Sequence, residues 1–284
     1  AREAAERARA NLSRYFSPNL AKELADNPAF LELGGERRDL TFVFTDLADF
    51  TPLVETLEPA TVVPLLNEYL NGMTEIVFRN GGTTDKVVGD AVHAIFGAPI
   101  EQRDHAALGV ACAMEMDAFA EAFRKQKNDE GIPLGVTRIG VHSGPAIVGN
   151  FGGASYFDYT AHGDAINTAA RLEGVNKFLG TRVCVSEDVV RQIRDFKGRP
   201  VGTLVLKGKT GGLRAFEPLA GEQAASEANA AYEAAFAKLE SGDPAARQSF
   251  AALVGEFGDD PLATFHLKRL LAGETGVEIK FGTK

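Results

Sequence analysis

Apolar and polar positions along the chain switch between two periods, the alternation of strands and the three-to-four spacing of amphipathic helices. Residues 40–47 are a short run rich in Val, Phe and Thr, which predicts a buried strand ending near Asp46. Over residues 51–80 the apolar positions Leu65-Leu66, Tyr69-Leu70, Met73 and Ile76-Val77 recur at helical spacing, and Gly81-Gly82 stops that helix. Two short apolar runs, 84–88 and 91–96, flank Gly89-Asp90 and predict a hairpin. A helix over 105–127 and a strand over 134–142 follow, whereas 157–162 reads as a loop or ligand-facing segment. The pattern then predicts a helix over 164–178, a strand over 182–185, a short helix from Ser186 to Ile193, and strands over 201–206 and 214–218. Helices alternating with strands in this way indicate one α/β or α+β domain.

The flanks read differently. Residues 2–12 are a charged, Ala-rich helix former, Ser17-Pro18 restarts a helix, and Gly34-Gly35 breaks it. Such a segment is either a simple linker or a coiled-coil transmitter from an upstream domain. Residues 220–228 have linker composition. Amphipathic helices follow at 232–239 and 245–257, separated by Ser241-Gly242-Asp243-Pro244, and a third begins after Asp260-Pro261. This resembles a tetratricopeptide-type helical hairpin but is too short for a solenoid, so a docking or capping appendage is expected. The predicted organisation is therefore an N-terminal helical linker or transducer (1–35), a central domain (36–219) and a helical C-terminal extension (220–284).

Composition narrows the possibilities. With 45% apolar residues in 284, the chain can build a sizeable core. No apolar run reaches transmembrane length, and both ends, Ala1 and Lys284, read as cut. Cys112 and Cys184 have no metal-ligand spacing and read as buried free thiols of a reducing compartment. The formal charge of -9, from 39 acidic and 30 basic residues, argues against a broad nucleic-acid footprint. A small phosphorylated ligand, by contrast, needs only a few well-placed cations.

Several positions carry candidate chemistry. Asp46 stands at a strand end, where α/β-type domains expose ligands; alone it reads more readily as a helix cap. Asp90 lies in a tight turn, which by itself explains an aspartate. Two such carboxylates meeting across neighbouring strands suit hard divalent cations shared with substrate phosphates. Arg138 interrupts an apolar strand and needs an anionic partner. His142 has no companion ligand at metal spacing, so a structural role is expected. Asn167 and Arg171 lie four apart and share a helix face, which suits a ligand or a solvated surface. Lys207-Gly208-Lys209-Thr210 is not a Walker A loop, because Thr203 stands where the first glycine belongs.

Together these pieces resemble the catalytic domain of the class III nucleotide cyclases, the family of adenylate and guanylate cyclases. The likeness spans about Arg38 to Leu219 and rests on five motifs in order. They are Phe-Thr-Asp-Leu around Asp46, Lys-Val-Val-Gly-Asp ending at Asp90, Arg-Ile-Gly-Val-His-Ser-Gly from Arg138, Gly-Asp-Ala-Ile-Asn-Thr-Ala-Ala-Arg-Leu from Gly163, and Leu-Lys-Gly-Lys from Leu206. The resemblance implies an α+β, ferredoxin-like cyclase domain with an N-terminal helical segment and a C-terminal helical extension. It implies an adenylate cyclase of the bacterial type, converting ATP to cyclic AMP and pyrophosphate. Asp46 and Asp90, with the backbone of Leu47, then hold two divalent cations, Mg²⁺ or Mn²⁺. Phosphate contacts fall to Arg138 and to Lys207 or Lys209, with Lys209 favoured. Lys86 and Thr160 read adenine, where guanylate cyclases usually present Glu and Cys. Asn167 and Arg171 are the implied transition-state residues.

The same resemblance implies a head-to-tail homodimer. One protomer would supply Asp46, Asp90 and Arg138, and the other Lys86, Thr160, Asn167, Arg171 and the loop lysine. The implied partners are ATP, a second copy and an upstream sensor or regulatory domain outside this chain. The catalytic region is expected to be cytoplasmic, with an N-terminal membrane anchor of the full-length protein left open. A dimerising nucleotide-binding module without catalysis is the rival reading; loss of a metal Asp or of Arg171 would favour it, and neither is missing. A guanylate cyclase is disfavoured by Lys86 and Thr160.

Overall fold

Both faces of the strand at 40–47 are covered, which explains its unbroken apolar run. Leu40, Phe42 and Phe44 face one buried cluster with Ile95, Val148 and Ala169, while Val43 and Leu47 face a second with Tyr69, Met73 and Met116. The polar residues between them are satisfied: the Thr41 hydroxyl bonds His105 Nδ1 and Ser143 Oγ, and Thr45 Oγ1 accepts from the Val92 N–H. The computed structural model describes residues 17, 20, 21, 23 and 32–281, apart from 154, 155, 207–210 and 259. Most of the predicted N-terminal helix therefore lies outside the described residues. Within it, Ser17 Oγ accepts from the Leu20 N–H, and Leu20 is buried against the Phe42 face of the sheet.

Among the described residues one sheet contains β1 (Gly34–Leu47), β2 (Thr83–Val88), β3 (Ala91–Phe96), β4 (Thr137–Gly153), β5 (Tyr156–His162), β6 (Val183–Ser186), β7 (Gly198–Val205), β8 (Leu213–Pro218) and β9 (Glu278–Lys280). Its order is β2-β3-β1-β4-β6-β8-β7-β9, with β5 paired to β4. The β4–β6 and β7–β9 pairs are parallel and the others antiparallel. On one face pack α1 (Phe50–Thr56), α2 (Pro59–Arg79) and α3 (His105–Asp129). Leu65, Tyr69, Met73, Ile76 and Val77 form the buried stripe of α2, each worth about 1.5–3 kcal/mol on burial. Helix α4 (Asp164–Leu179) covers the other face, and α5 (Glu187–Val190) follows β6. This is a mixed α/β fold with a central sheet and flanking helices.

Three departures from the sequence pattern have one cause. β1 begins at Gly34 rather than 40, β4 runs on to Gly153 rather than stopping near 142, and 157–162 belongs to a strand, β5. The local breakers Gly34-Gly35 and Gly144-Pro145 are overridden because β1 and β4 pair continuously from Gly34↔Asn150 to Leu47↔Thr137. Gly149 permits the close crossing, since a Cβ there would lie 2.0 Å from the Gly34 carbonyl oxygen. The lengthened end of β4 then offers its free edge to β5.

The C-terminal segment docks on the sheet. After the short α6 (Gly221–Ala224), helices α7 (Glu227–Ser241), α8 (Ala246–Phe257) and α9 (Pro261–Leu271) lead into β9 beside β7. Ser226 caps α7 through the Asn229 N–H, and Asp260 caps α9 through the Leu262 and Ala263 N–H groups. Tyr232, Phe236, Phe250 and Leu262 share a buried cluster with Leu172, Val175 and Leu179 of α4 and with Val201 and Leu204 of β7. A buried guanidinium ties the two parts. Arg199 pairs with Glu217 at 2.7 Å and forks onto both oxygens of Asp260, with its plane 4.4 Å from the Tyr232 ring centre. Cys112 and Cys184 are buried free thiols, each with its pKa raised by burial. Among the described residues no helix is long and apolar enough to cross a membrane.

Candidate active site

The register of β1 against β4 places Asp46 opposite Arg138. Arg138 Nη2 donates to Asp46 Oδ2 at 2.5 Å, which supplies the anionic partner a guanidinium on an apolar strand requires. Asp46 is not a helix cap: α1 starts behind Asp49, whose φ of 56° is left-handed. Asp90 arrives from the β2–β3 turn, and its Oδ2 accepts from the Leu47 N–H at 2.7 Å. Both aspartates therefore converge on the end of β1. Burial raises the Asp90 pKa, opposed by its bonds from the Leu47 and Asp90 N–H groups, and the Asp46 charge raises it further. Below this end, buried Tyr69 of α2 bonds Thr137 through its hydroxyl at 2.9 Å.

A third carboxylate, missed in the sequence, completes the cluster. Glu173 Oε1 lies 3.3 Å from Arg138 Nε, close enough for charge attraction although neither atom makes a hydrogen bond. Burial, then the negative charge of Asp46, pushes the Glu173 carboxyl up to about 7, with Arg138 opposing and Asp90 adding to the rise. Its placement follows from Gly140, two positions beyond Arg138. A Cβ at Gly140 would lie 2.2 Å from the Glu173 N and 2.3 Å from the Ala169 carbonyl oxygen of α4. Only glycine admits the helix this near the strand. Asn176 Nδ2 holds it there by donating to the Ile139 carbonyl at 3.0 Å. A signal existed: Glu173 stands on the same stripe as buried Ala169, Leu172 and Asn176, where a carboxylate needs a partner.

Asn167 and Arg171 also lie on α4. Asn167 is exposed; Arg171 is half-buried, with its Nη1 buried and making no hydrogen bond. At 3.6 residues per turn, Arg171 and Glu173 point about 200° apart around the helix. The Asn167–Arg171 face is thus turned away from the Asp46–Arg138–Glu173 cluster of the same chain.

Lys86 and Thr160 come together although β2 and β5 are not hydrogen-bonded neighbours. The sheet curls until its β2 edge meets β5. Lys86 Nζ lies 3.8 Å from Asp158 Oδ2, and Thr160, two residues further along the same face of β5, is buried. Asp85 and Asp158 were not singled out from sequence; the adjacent Asp85-Lys86 charge pair in a Thr/Val strand was the available sign. Lys207 and Lys209 lie outside the described residues. His142 is structural, with Nδ1 2.7 Å from Ser186 Oγ.

The donor set at Asp46 and Asp90 is hard oxygen, with the Leu47 backbone alongside, which suits Mg²⁺ or Mn²⁺. No cluster of three or more His, Cys, Asp or Glu placed to hold a metal occurs among the described residues. Two carboxylates fill a hard cation's shell only when phosphate oxygens and water supply the remainder, so this pair fits a cation that arrives with a phosphorylated ligand.

Residues 35–217 match the family described as the adenylate and guanylate cyclase catalytic domain. Adenylate cyclase 1 of Rhizobium meliloti (strain 1021) is 37% identical over 204 residues, 72% of this chain and 31% of that protein. The chain thus spans about a third of that relative's length. The crystal structure of the adenylyl cyclase CyaB from P. aeruginosa superposes with a TM-score of 0.62 at 33% identity, covering 68% of this chain and 100% of that one. The guanylyl cyclase Cya2 superposes with a TM-score of 0.60 at 31% identity, covering 66% of this chain and 94% of that one.

Proposed function

Because the chain belongs to the class III adenylate and guanylate cyclase family, we propose that it converts ATP to 3′,5′-cyclic AMP and pyrophosphate at sites shared by two copies. The observation that carries this reading is the meeting of Asp46, Asp90 and Arg138 at one strand end. In the reaction the ribose 3′-oxygen loses its proton and bonds the α-phosphorus, while the bond from that phosphorus to the bridging oxygen of pyrophosphate breaks. Asp46, Asp90 and the Leu47 backbone would hold divalent cations, which when bound would supply acidification of the 3′-hydroxyl and charge neutralisation of the triphosphate. Arg138 binds phosphate oxygens, together with Lys207 or Lys209. Glu173 keeps Arg138 aimed when Asp46 turns from the guanidinium to a cation.

The geometry of α4 supports a site shared by two copies. Its Asn167–Arg171 face points away from the aspartates of its own chain, so it serves the site of a second copy. There Arg171 stabilises charge growing at the α-phosphoryl group, and Asn167 orients the ribose. Overall identity does not choose the base, since an adenylyl and a guanylyl cyclase resemble the chain almost equally, at 33% and 31%. Local chemistry favours ATP. Lys86 donates to adenine N1 and Thr160 meets the 6-amino group, a pattern that guanine reverses with N1–H and O6.

The test is a product assay on the purified chain with Mg²⁺ or Mn²⁺ and either ATP or GTP. Cyclic AMP is expected from ATP, and Asp46→Asn and Asp90→Asn are each expected to abolish nearly all turnover with the fold intact. Unchanged turnover in either variant refutes the metal roles, and preferential GTP turnover refutes the base assignment.

A further inference from the structure

A bulge in β2 decides what stands beside Lys86. Pairing of β2 with β3 runs Thr83↔Ile95, Thr84↔Ala94 and then Lys86↔His93, so Asp85 is the extra residue. An unbroken ladder would have set Asp85 opposite His93, an attractive acid–base pair; the shifted one sets Lys86 there. On the other side of β3, His93 lies directly opposite Phe44 of β1. Residues directly opposite one another in an antiparallel ladder share a face, so Phe44, His93 and Lys86 form one row across three strands. Within that row the His93 ring stacks on Phe44, with ring centres 3.9 Å apart and planes 23° off parallel.

The row suits an uncharged imidazole. The His93 ring is half-buried and pinned to an apolar face, and the side chain directly opposite it on β2 ends in an ammonium. Burial first, and then the charge of Lys86, lower the His93 pKa from 6.5. On the remaining sides β1 offers the Phe44 ring, and α4 and β5 bring Ala165, Ala169, Tyr159 and Ala161 into the cluster that holds Phe44, so none of these supplies an anion. Asp158 of β5 faces Lys86 instead, 3.8 Å from its Nζ. A protonated His93 would therefore repel Lys86. The flexible four-carbon stem of Lys86 lets its ammonium yield toward Asp158, whereas the stacked ring stays where it is.

We propose that His93 is a positioning residue for base choice: its neutral imidazole, stacked on Phe44, leaves the Lys86 ammonium standing at the purine edge, and its protonated form drives that ammonium away. The inference rests on the base-reading role proposed above for Lys86. When His93 is charged, adenine loses the donor to its N1, while guanine, whose N1–H opposes that donor, is relieved of it. Selectivity for ATP over GTP is therefore present above pH 6.5, where the imidazole is neutral, and falls at lower pH as the ring takes up its proton.

The experiment measures the ATP/GTP ratio of kcat/KM from about pH 8 down to about pH 5.5 in wild type, His93→Gln, His93→Arg and Lys86→Met. The ratio cancels the ionisation of the triphosphate and of the groups around it, which both nucleotides share. Glutamine is neutral throughout this range, and arginine stacks on an aromatic ring while keeping its charge. The wild-type ratio is expected to fall about fivefold, the upper end for charges directly opposed on a sheet. His93→Gln should hold the high ratio at every pH, and His93→Arg the low one. A wild-type ratio that does not change with pH, or a fall that persists in His93→Gln and so belongs to another group such as Asp85, overturns the inference. Lys86→Met separates the two readings. If it leaves the ratio at pH 8 unchanged, the base-reading role fails and the inference with it; a ratio that Lys86 sets and His93 does not move overturns the inference alone. Binding calorimetry with ATP and GTP over the same range reads base discrimination whether or not turnover occurs. Discrimination with the expected pH course but no cyclic product refutes the proposed function and supports the role of His93.

Discussion

Replacing Gly140 with alanine tests the contact that sets α4 against β4. The added carbon would sit 2.2 Å from a backbone nitrogen and 2.3 Å from a backbone oxygen of α4, and neither can rotate away. Restoring ordinary contact requires the helix to withdraw by roughly 1 Å. Overpacking of this kind costs about 1–3 kcal/mol, and the retreat also strains the Asn176 bond to the Ile139 carbonyl, worth about 1 kcal/mol. Together, a loss of about 2–4 kcal/mol should lower Tm by roughly 5–15 °C. The same shift moves Glu173, Asn167 and Arg171 as one body, and a misplacement near 1 Å should reduce kcat by about 10²-fold. Gly174→Ala is the matched control, because the same helix has nothing within 4 Å of a Cβ there. It should be neutral or stabilising by up to about 1 kcal/mol. Calorimetry and a cyclic-nucleotide assay on both variants decide the matter. If Gly140→Ala matches Gly174→Ala in Tm and kcat, the close approach is not what positions the helix.

Further predictions concern charge and assembly. The Glu173 carboxyl is raised by burial from 4.5 to about 7, so its contribution to stability is present below pH 4.5 and is lost as pH rises through 7. Glu173→Gln, measured by urea unfolding in chelator, should therefore gain stability over wild type across that window, by up to about 3 kcal/mol; a difference independent of pH contradicts the assignment. Arg199→Ala leaves Glu217 and Asp260 without their shared cation and should cost about 3–5 kcal/mol at unchanged m-value. A loss below about 1 kcal/mol would show that the C-terminal helices are held by apolar packing alone. Mixing Asp46→Asn chains with Arg171→Ala chains should restore activity in heterodimers, each of which contains one intact site. An inert mixture with heterodimers demonstrated would falsify the shared site.

What could be read from the sequence was whatever depends on near neighbours in the chain. The hairpin around Gly89-Asp90, the long helices and the strand ending at Asp46 are set by apolar periodicity and by glycine punctuation over a few residues. Asp46, Asp90, Arg138, Asn167 and Arg171 could be named as candidates for a similar reason, since each lies inside a compact motif. Tertiary structure decided what depends on distant segments. The breakers at Gly34-Gly35 and Gly144-Pro145 gave way because β1 and β4 pair along their length, and that pairing created the edge on which β5 became a strand. The three-residue β9 carries too little pattern to announce itself and exists because β7 offers a partner.

The same division holds within the site. Glu173 reaches Arg138 only through approach, because a helix is drawn onto Gly140. Periodicity assigns a residue to a face but does not say what stands opposite. A carboxylate's protonation is set by what stands opposite, so that property belonged to the fold alone.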